Sequence, residues 1–296
     1  MGHWAAGGRV VVVGSEGQLG GELCRQLGRR AVGLDLPAFD LTRPELVIDR
    51  IASIEPAVVV NAAAYTRVDQ AEEEPDRCWA INATAVGHLV EACRRCGAVL
   101  VQVSTDYVFG GDATRRRPYG ETDPPSPLGV YGRSKLAGEI EARRWPRHLI
   151  VRTCGLYGPP GSRSAGNFVE AMLRLGQAGG VIRVVQDQVC SPTYTVHLAR
   201  AMLFLAGTEA FGTYHVVNTG QTTWYGFAAA IFRLAGWPVD LEPITGAQYG
   251  LKAPRPGYSV LDTAKYHALP GCSAMPPWQD ALEEYLRRRL PRIVGP

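Results

Sequence analysis

A tyrosine and a lysine four residues apart, Tyr131-Gly132-Arg133-Ser134-Lys135, are the first candidates for chemistry. At the start of a helix this spacing turns both side chains the same way. A phenol with an ordinary pKa near 10 is a poor proton donor or acceptor at neutral pH. An adjacent ammonium stabilises the phenolate and is expected to pull that pKa toward the working range. Y-x-x-x-K alone arises by chance, but composition adds weight. Only three of the 31 basic residues are lysines, Lys135, Lys252 and Lys265. A chain that uses arginine almost everywhere keeps a compact ammonium here, one able to contact a tyrosine and a ribose together. The same bias also leaves three lysines with no special role. Ser104-Thr105-Asp106-Tyr107 follows an apolar run and offers a second hydroxyl. Thr105 is placed to polarise a carbonyl for hydride attack; capping the loop is the plainer alternative.

Gly14-Ser15-Glu16-Gly17-Gln18-Leu19-Gly20 follows the run Arg9 to Val13 and opens an apparent helix. Glycines at this G-x-x-G-x-x-G spacing allow a tight turn and let backbone N–H groups at a helix start approach a pyrophosphate. Many glycine triplets are only turns; the strand before and the helix after strengthen this one. Asp35 closes the next apolar run, 15 residues past Gly20, where a carboxylate can accept hydrogen bonds from ribose hydroxyls. No arginine follows until Arg43, and Glu16 adds negative charge, so NADH is favoured over NADPH. An ordinary polar residue at a strand end is the alternative for Asp35.

These groups need a scaffold. Strands are predicted over Arg9–Val13, Ala31–Asp35, Ala57–Asn61, Val99–Val103 and Leu149–Arg152, alternating with helices over Gly20–Leu27, Pro44–Ile54 (with Thr42 as N-cap), Pro75–Ala92 and Ser134–Arg144. That rhythm is the signature of an α/β fold of Rossmann type, a doubly wound parallel sheet covered on both faces. After Arg152 the rhythm breaks. A Gly/Pro-rich loop spans Gly155–Gly166, with helices expected near 168–175, 195–205, 227–234 and 278–289. Strands are expected near Val184 and over Thr213–Val217, and a loop over Pro243–Tyr258. We expect a dinucleotide-binding domain of residues 8–153 plus about 192–218, and a smaller, mixed substrate-binding lobe of about 154–191 plus 219–292, laid over the sheet's carboxyl edge.

Composition bounds the partners. With 296 residues, 46% hydrophobic and 20% charged, the chain can bury a full core. A net charge of +3, from 31 basic and 28 acidic residues, is too balanced for a nucleic-acid or anionic-membrane footprint. No stretch approaches the roughly 20 apolar residues of a membrane span, and Met1–Arg9 does not read as a leader. Seven scattered cysteines read as reduced thiols in a cytoplasmic protein. Cys93-Arg94-Arg95-Cys96 falls at a helix end without a second pair or nearby histidines, so neither zinc nor redox chemistry is expected of it.

Together these residues resemble the extended short-chain dehydrogenase/reductase superfamily, and within it the dTDP-4-dehydrorhamnose reductase family. The resemblance runs through Val13–Glu22, Val60–Asp69, Ile81–Thr84, Ser104–Phe109, Val130–Glu139, Asp187-Gln188, Ser191–Thr193, Thr222–Trp224, Arg255-Pro256 and Leu261–Thr263. It implies a reductase that transfers hydride from NADPH or NADH to the C4 ketone of a nucleotide-activated 4-keto-6-deoxyhexose. By resemblance Tyr131 is the general acid, Lys135 tunes it and holds the nicotinamide ribose, and Thr105 polarises the carbonyl. Gly14, Gly17, Gln18, Leu19 and Gly20 match the pyrophosphate loop. Asp35, Asp40 and Leu41 match adenosine contacts, and Ala64, Tyr65 and Thr66 line ribose and phosphate. Thr105, Asp106, Tyr107, Gly155, Arg255 and Tyr258 are the positions expected to meet the sugar. The resemblance allows a monomer or a homodimer. Some members pair around Mg²⁺, for which no residues are identified here.

Two departures stand out. The family's R-T-S-W-x-Y reads Arg152-Thr153-Cys154-Gly155-Leu156-Tyr157 here, so an aromatic wall is missing; Tyr258, where the family carries asparagine, is the expected substitute. Two alternatives stand beside the reductase: an epimerase or dehydratase on the same fold, and a non-catalytic dinucleotide-binding regulatory subunit. Dehydratases show T-D-E where this chain has Thr105-Asp106-Tyr107, and intact Thr105, Tyr131 and Lys135 argue against a purely binding role.

Overall fold

The computed structural model describes residues 7–162 and 166–290, so most of Met1–Arg9, and the last two residues of the expected lobe, lie outside the described residues. Its strands are β1 Val10–Val13, β2 Ala31–Leu34, β3 Val58–Asn61, β4 Val99–Thr105, β5 His148–Thr153, β6 Leu156–Tyr157, β7 Val181–Val185, β8 Val189–Cys190, β9 Thr193–Tyr194, β10 Gly212–His215, β11 Thr222–Thr223 and β12 Asp240–Ile244. Its helices are α1 Gln18–Leu27, α2 Pro44–Ile54, α3 Val68–Ala71, α4 Pro75–Trp79, α5 Ala85–Cys96 and α6 Val130–Ala142. They continue with α7 Phe168–Ala178, α8 Thr195–Ala206, α9 Trp224–Ala235, α10 Gly246–Tyr249, α11 Ala264–His267 and α12 Trp278–Arg289.

Six strands form one parallel sheet in the order β10-β5-β4-β3-β1-β2. Its central strands are short β-branched runs such as Val10–Val13, fully buried because helices cover both faces. Leu19 and Leu23 of α1 pack with Leu198, Met202 and Leu205 of α8 on one face. Val47 and Ile51 of α2 pack with Leu89 and Val90 of α5 on the other. The strand order reverses at β1, between β2 and β3, and the crevice beyond the carboxyl ends of β1 and β3 is where such sheets hold ligands. The register brings Val13, Leu34 and Asn61 level, and Thr105 level with Thr153.

The remaining elements gather around a separate apolar cluster. Val169 and Leu173 of α7, Phe227 and Ile231 of α9, Leu282 and Leu286 of α12, and Ile182 and Val184 of β7 meet there. Three two-stranded sheets, β7 with β12, β8 with β11, and β6 with β9, accompany them. Among the described residues no helix is long and apolar enough to cross a membrane.

Local differences from the sequence reading have physical causes. Helix α6 starts at Val130, four residues earlier than expected, because Glu72 from a distant segment accepts the Val130 N–H at 2.8 Å. Thr42 does not cap α2: its N–H and hydroxyl both donate to Asp40 Oδ1, and Arg43 takes the cap position. The expected helix from Pro75 is α4 and α5 joined by a π-helical segment, Ala80–Thr84. In the expected loop from Pro243, α10 forms, and β12 runs into its start, pairing with β7 despite Pro243. Cys93 is buried in the core, and Cys96 Sγ turns to the Ala92 carbonyl.

Candidate functional site

The glycine loop after β1 is built by close approach. Gly14 has φ +78°, and a Cβ there would stand 2.7 Å from Ala63 N; a Cβ on Gly20 would stand 2.0 Å from Gly14 O. Neither position admits even alanine, so the loop closes tightly on the sheet edge. Helix α1 starts with no side-chain cap, which leaves its first N–H groups for an anion. A cleft of about 670 Å³ runs from this loop across the sheet's carboxyl edge. Gly14, Gly17, Gln18, Leu19, Asp35, Asp40, Leu41, Ala64 and Thr66 all line it, as expected of them, and so do Tyr131 and Lys135. Gly20 stands behind the loop and shapes it.

Asp35 also holds the loop. Its Oδ2 accepts from Glu16 N and its Oδ1 from Leu36 N, each at 2.8 Å. Hydrogen bonds from Thr42 hold the Asp40 carboxyl below its ordinary range. Tyr65 corrects the sequence reading. It is absent from the cleft wall; its ring packs with Ala71, Cys78 and Val130, and its hydroxyl contacts Glu74 at 3.1 Å. Its backbone has a job instead: Tyr65 N donates to Asn82 Oδ1 at 2.9 Å, and Asn82 Nδ2 donates to Tyr65 O and to Ser134 Oγ. Asn82 thus ties the loop after β3 to α6 from within the π-helical segment, a backbone irregularity that often accompanies function.

A second cavity, of about 270 Å³, adjoins the cleft and shares with it Thr66, Thr105, Asp106, Tyr131, Cys154 and Gly155. At this junction Tyr131 occupies the first turn of α6 and Lys135 the second. Lys135 is buried and its Nζ donates to Val103 O at 2.6 Å. Burial brings its pKa down to about 8, so the ammonium is charged at neutral pH. The expected depression of the Tyr131 pKa is not found. Burial pushes the phenol well above its ordinary 10, and the ammonium's hydrogen bond is made to Val103. A phenol held protonated is suited to giving a proton rather than taking one.

Thr105 takes the plainer of the two roles weighed for it and also lines both cavities. Its Oγ1 accepts from Tyr107 N at 3.1 Å, capping the short turn Asp106–Val108, and it faces the cavity junction. It also donates to Asp106 Oδ1 at 3.1 Å. Asp106 is 2% exposed, its Oδ2 accepts from Ser259 Oγ at 2.5 Å, and burial raises its pKa to about 6. Tyr107 meets Tyr131 edge to face, with centroids 5.9 Å apart.

Two expected sugar contacts lie off the wall. Arg255 is engaged by Asp69, with Nη1 and Nη2 donating at 2.9 and 2.7 Å, which holds the Asp69 carboxyl at about 2. Its neighbour Pro256 reaches the cavity instead. Tyr258 is buried beside Val108 and Tyr119 with its hydroxyl on Gln221 Oε1, and it does not replace the missing wall. The sequence reading missed Trp224, Gln188 and Ser259 as lining residues. It also missed Glu139, whose place four residues after Lys135 puts it on the same inward face of α6. Among the described residues no group of three or more His, Cys, Asp or Glu side chains is arranged to hold a metal ion.

Comparison with known proteins agrees with this geometry. The family model described as RmlD substrate binding domain matches residues 8–290. The spore coat polysaccharide biosynthesis protein SpsK of Bacillus subtilis is 41% identical over 95% of this chain and 98% of its own length. The dTDP-4-dehydrorhamnose reductase of Streptomyces griseus is 42% identical over 93% of this chain and 92% of its own. A crystal structure of dTDP-4-dehydrorhamnose reductase from Bacillus anthracis in complex with NADP superposes with a TM-score of 0.90 at 38% identity, covering 95% of this chain and 99% of that one. The family model and these relatives match along almost the whole length, and the chain belongs to the dTDP-4-dehydrorhamnose reductase family of the extended short-chain dehydrogenase/reductases.

Proposed function

We propose that this chain reduces the C4 ketone of a dTDP-4-dehydro-6-deoxy-L-hexose, giving dTDP-L-rhamnose or a close relative. The observation that carries this reading is the junction itself: Thr105 and Tyr131 face both the dinucleotide cleft and the smaller cavity. A nicotinamide dinucleotide, NADPH or NADH, fits the Gly14–Gly20 cradle and supplies the hydride. The start of α1 meets its pyrophosphate, and Asp35, Asp40 and Leu41 its adenosine end. Lys135 holds the nicotinamide ribose and keeps a positive charge near the phenol. Thr105 turns its one O–H from Asp106 to the ketone oxygen, and Tyr131 delivers the proton to that oxygen as charge develops. Elimination, by contrast, lacks a base: burial keeps Tyr107 a neutral phenol where a dehydratase has a carboxylate.

The same reading divides the chain into a dinucleotide-binding part, 8–153 with 192–218, and a sugar-binding lobe, 154–191 with 219–292. Seven unpaired cysteines suit the cytoplasm. Asp35 favours NADH by repelling a 2′-phosphate, whereas the Bacillus anthracis relative holds NADP, so both are assayed. The test mixes purified protein with dTDP-4-dehydro-L-rhamnose, made enzymatically from dTDP-glucose, and follows oxidation of NADPH and of NADH with product analysis. Turnover to dTDP-L-rhamnose that vanishes in Tyr131→Phe is expected. Dinucleotide binding without turnover of this ketone overturns the reading.

A further inference from the structure

Gly155 has φ +52°, and a Cβ placed on it would lie 3.2 Å from Trp224 Cη2 and 3.3 Å from Pro192 Cα. The outer edge of the Trp224 indole therefore stands where a side chain at 155 would reach. Trp224 lines the smaller cavity together with Thr105, Tyr107 and Tyr131, and it is half-buried, so part of the ring faces the cavity. The ring is also held still. Thr223 caps α9 by accepting the Gly226 N–H at 3.0 Å, and β11 pairs with β8 immediately before it. The Phe168 ring packs against the indole at 4.8 Å between centroids. Little side-chain freedom is left to lose when something stacks on this surface.

We propose that Trp224 is the surface on which the sugar of the nucleotide-sugar stacks, and that the missing side chain at Gly155 is what opens this surface to the cavity. The rest of the wall is mixed: Thr105, Asp106, Gln188 and Ser259 offer polar groups for hydroxyls beside smaller apolar residues such as Val189 and Pro256. The indole offers the broadest aromatic plane among the lining residues for the C–H face and methyl group of a 6-deoxyhexose. Trp224 is therefore a specificity-determining residue that distinguishes sugar from nucleotide, and it takes no part in proton or hydride movement.

The proposal takes its sugar from the reductase reading, and the two are tested by different readouts. Affinities of dTDP-L-rhamnose and of dTDP are measured by calorimetry for the wild type, Trp224→Ala and Trp224→Phe, with NADPH affinity as a control. Trp224→Ala is expected to weaken dTDP-L-rhamnose about tenfold while dTDP and NADPH change less than about twofold; Trp224→Phe restores most of the loss. Gly155→Leu, which crowds the indole edge, weakens dTDP-L-rhamnose in the same selective way. Equal losses for dTDP and dTDP-L-rhamnose assign Trp224 to general packing and overturn the proposal. So does a wild type that binds dTDP-L-rhamnose no better than dTDP. The reductase reading is judged by turnover, and survives or falls independently.

Discussion

Substituting glutamine for Glu139 removes the carboxylate that joins Ser104, Arg143 and Arg152 in a buried network on the inward face of α6. Glu139 is fully buried, with Oε1 accepting from Ser104 Oγ at 2.6 Å and Arg152 Nε at 2.8 Å. Its Oε2 accepts from Arg152 Nη2 at 2.8 Å and Arg143 Nη2 at 2.9 Å. Burial pushes its carboxyl up, and the hydrogen bonds and charge of Arg152 more than offset that push. Arg152 is only 1% exposed and, among the described residues, pairs with no other anion; it also contacts the Phe109 face at 5.1 Å and His215 Nε2 at 3.3 Å. His215, brought down to about 4 by burial, is neutral at pH 7. Glu139→Gln thus strands a buried guanidinium, which costs about 3–5 kcal/mol. At about 2–4 °C per kcal/mol for a domain of this size class, the Tm falls by roughly 6–20 °C. Scanning calorimetry at pH 7.5 reads it. Glu139→Met with Arg152→Met, which removes both charges, is expected to recover much of the loss, so the two single changes are strongly non-additive. A Tm drop under about 2 °C for Glu139→Gln, or additive behaviour of the pair, refutes the claim that this pairing anchors α6.

Three further outcomes are expected. Gly20→Ala forces a Cβ to within 2.0 Å of Gly14 O and should weaken NADPH binding more than about tenfold by fluorescence titration, with keto-sugar product affinity little changed. Because the Lys135 ammonium is lost above about pH 8, kcat/KM should fall on the alkaline side with an apparent pKa near 8, and Lys135→Arg should remove that limb whatever its residual rate. Asp106 holds its proton to about 6 in the fold but only to its ordinary 3.8 when unfolded. Its contribution to stability is therefore full below about pH 4 and is lost as pH rises through 6. The difference corresponds to about 3 kcal/mol, so Asp106→Asn should gain on the wild type by up to that amount between pH 4 and 7 in denaturant titrations. A flat difference between the two proteins across that range refutes the assignment.

What can be read from the chain is what its local pattern encodes. Val10–Val13 and Val58–Asn61 are β-branched runs with turn residues at their ends, and they are strands because nothing nearby offers an alternative. The glycine loop and the Tyr131–Lys135 spacing were legible for the same reason. The start of α6 was not, since its cap is Glu72, brought there by tertiary packing. The state of Tyr131 depends on how deeply the fold encloses it, which the spacing to Lys135 does not reveal. Tyr65, Arg255 and Tyr258 sit in matching blocks of sequence, yet their side chains serve Glu74, Asp69 and Gln221, partners that only the folded chain supplies. Trp224 lies in a matching block of sequence that gives it no role, because the exposure of its indole depends on a side chain absent 69 residues earlier, at Gly155.

The walls of the smaller cavity come from stretches well separated along the chain. The proposed proton-handling groups, Thr105, Tyr131 and Lys135, lie before residue 136, on the sheet edge and the first turns of α6. Much of the sugar-facing surface, Gln188 through Cys190, Trp224, Pro256 and Ser259, lies beyond residue 187. Mutation can recut the later surface without disturbing the groups that move hydride and proton. A recombination point between Ala142, where α6 ends, and His148, where β5 begins, would join one reaction to another sugar preference, so chimaeras of related reductases spliced there should exchange substrate choice while keeping their chemistry.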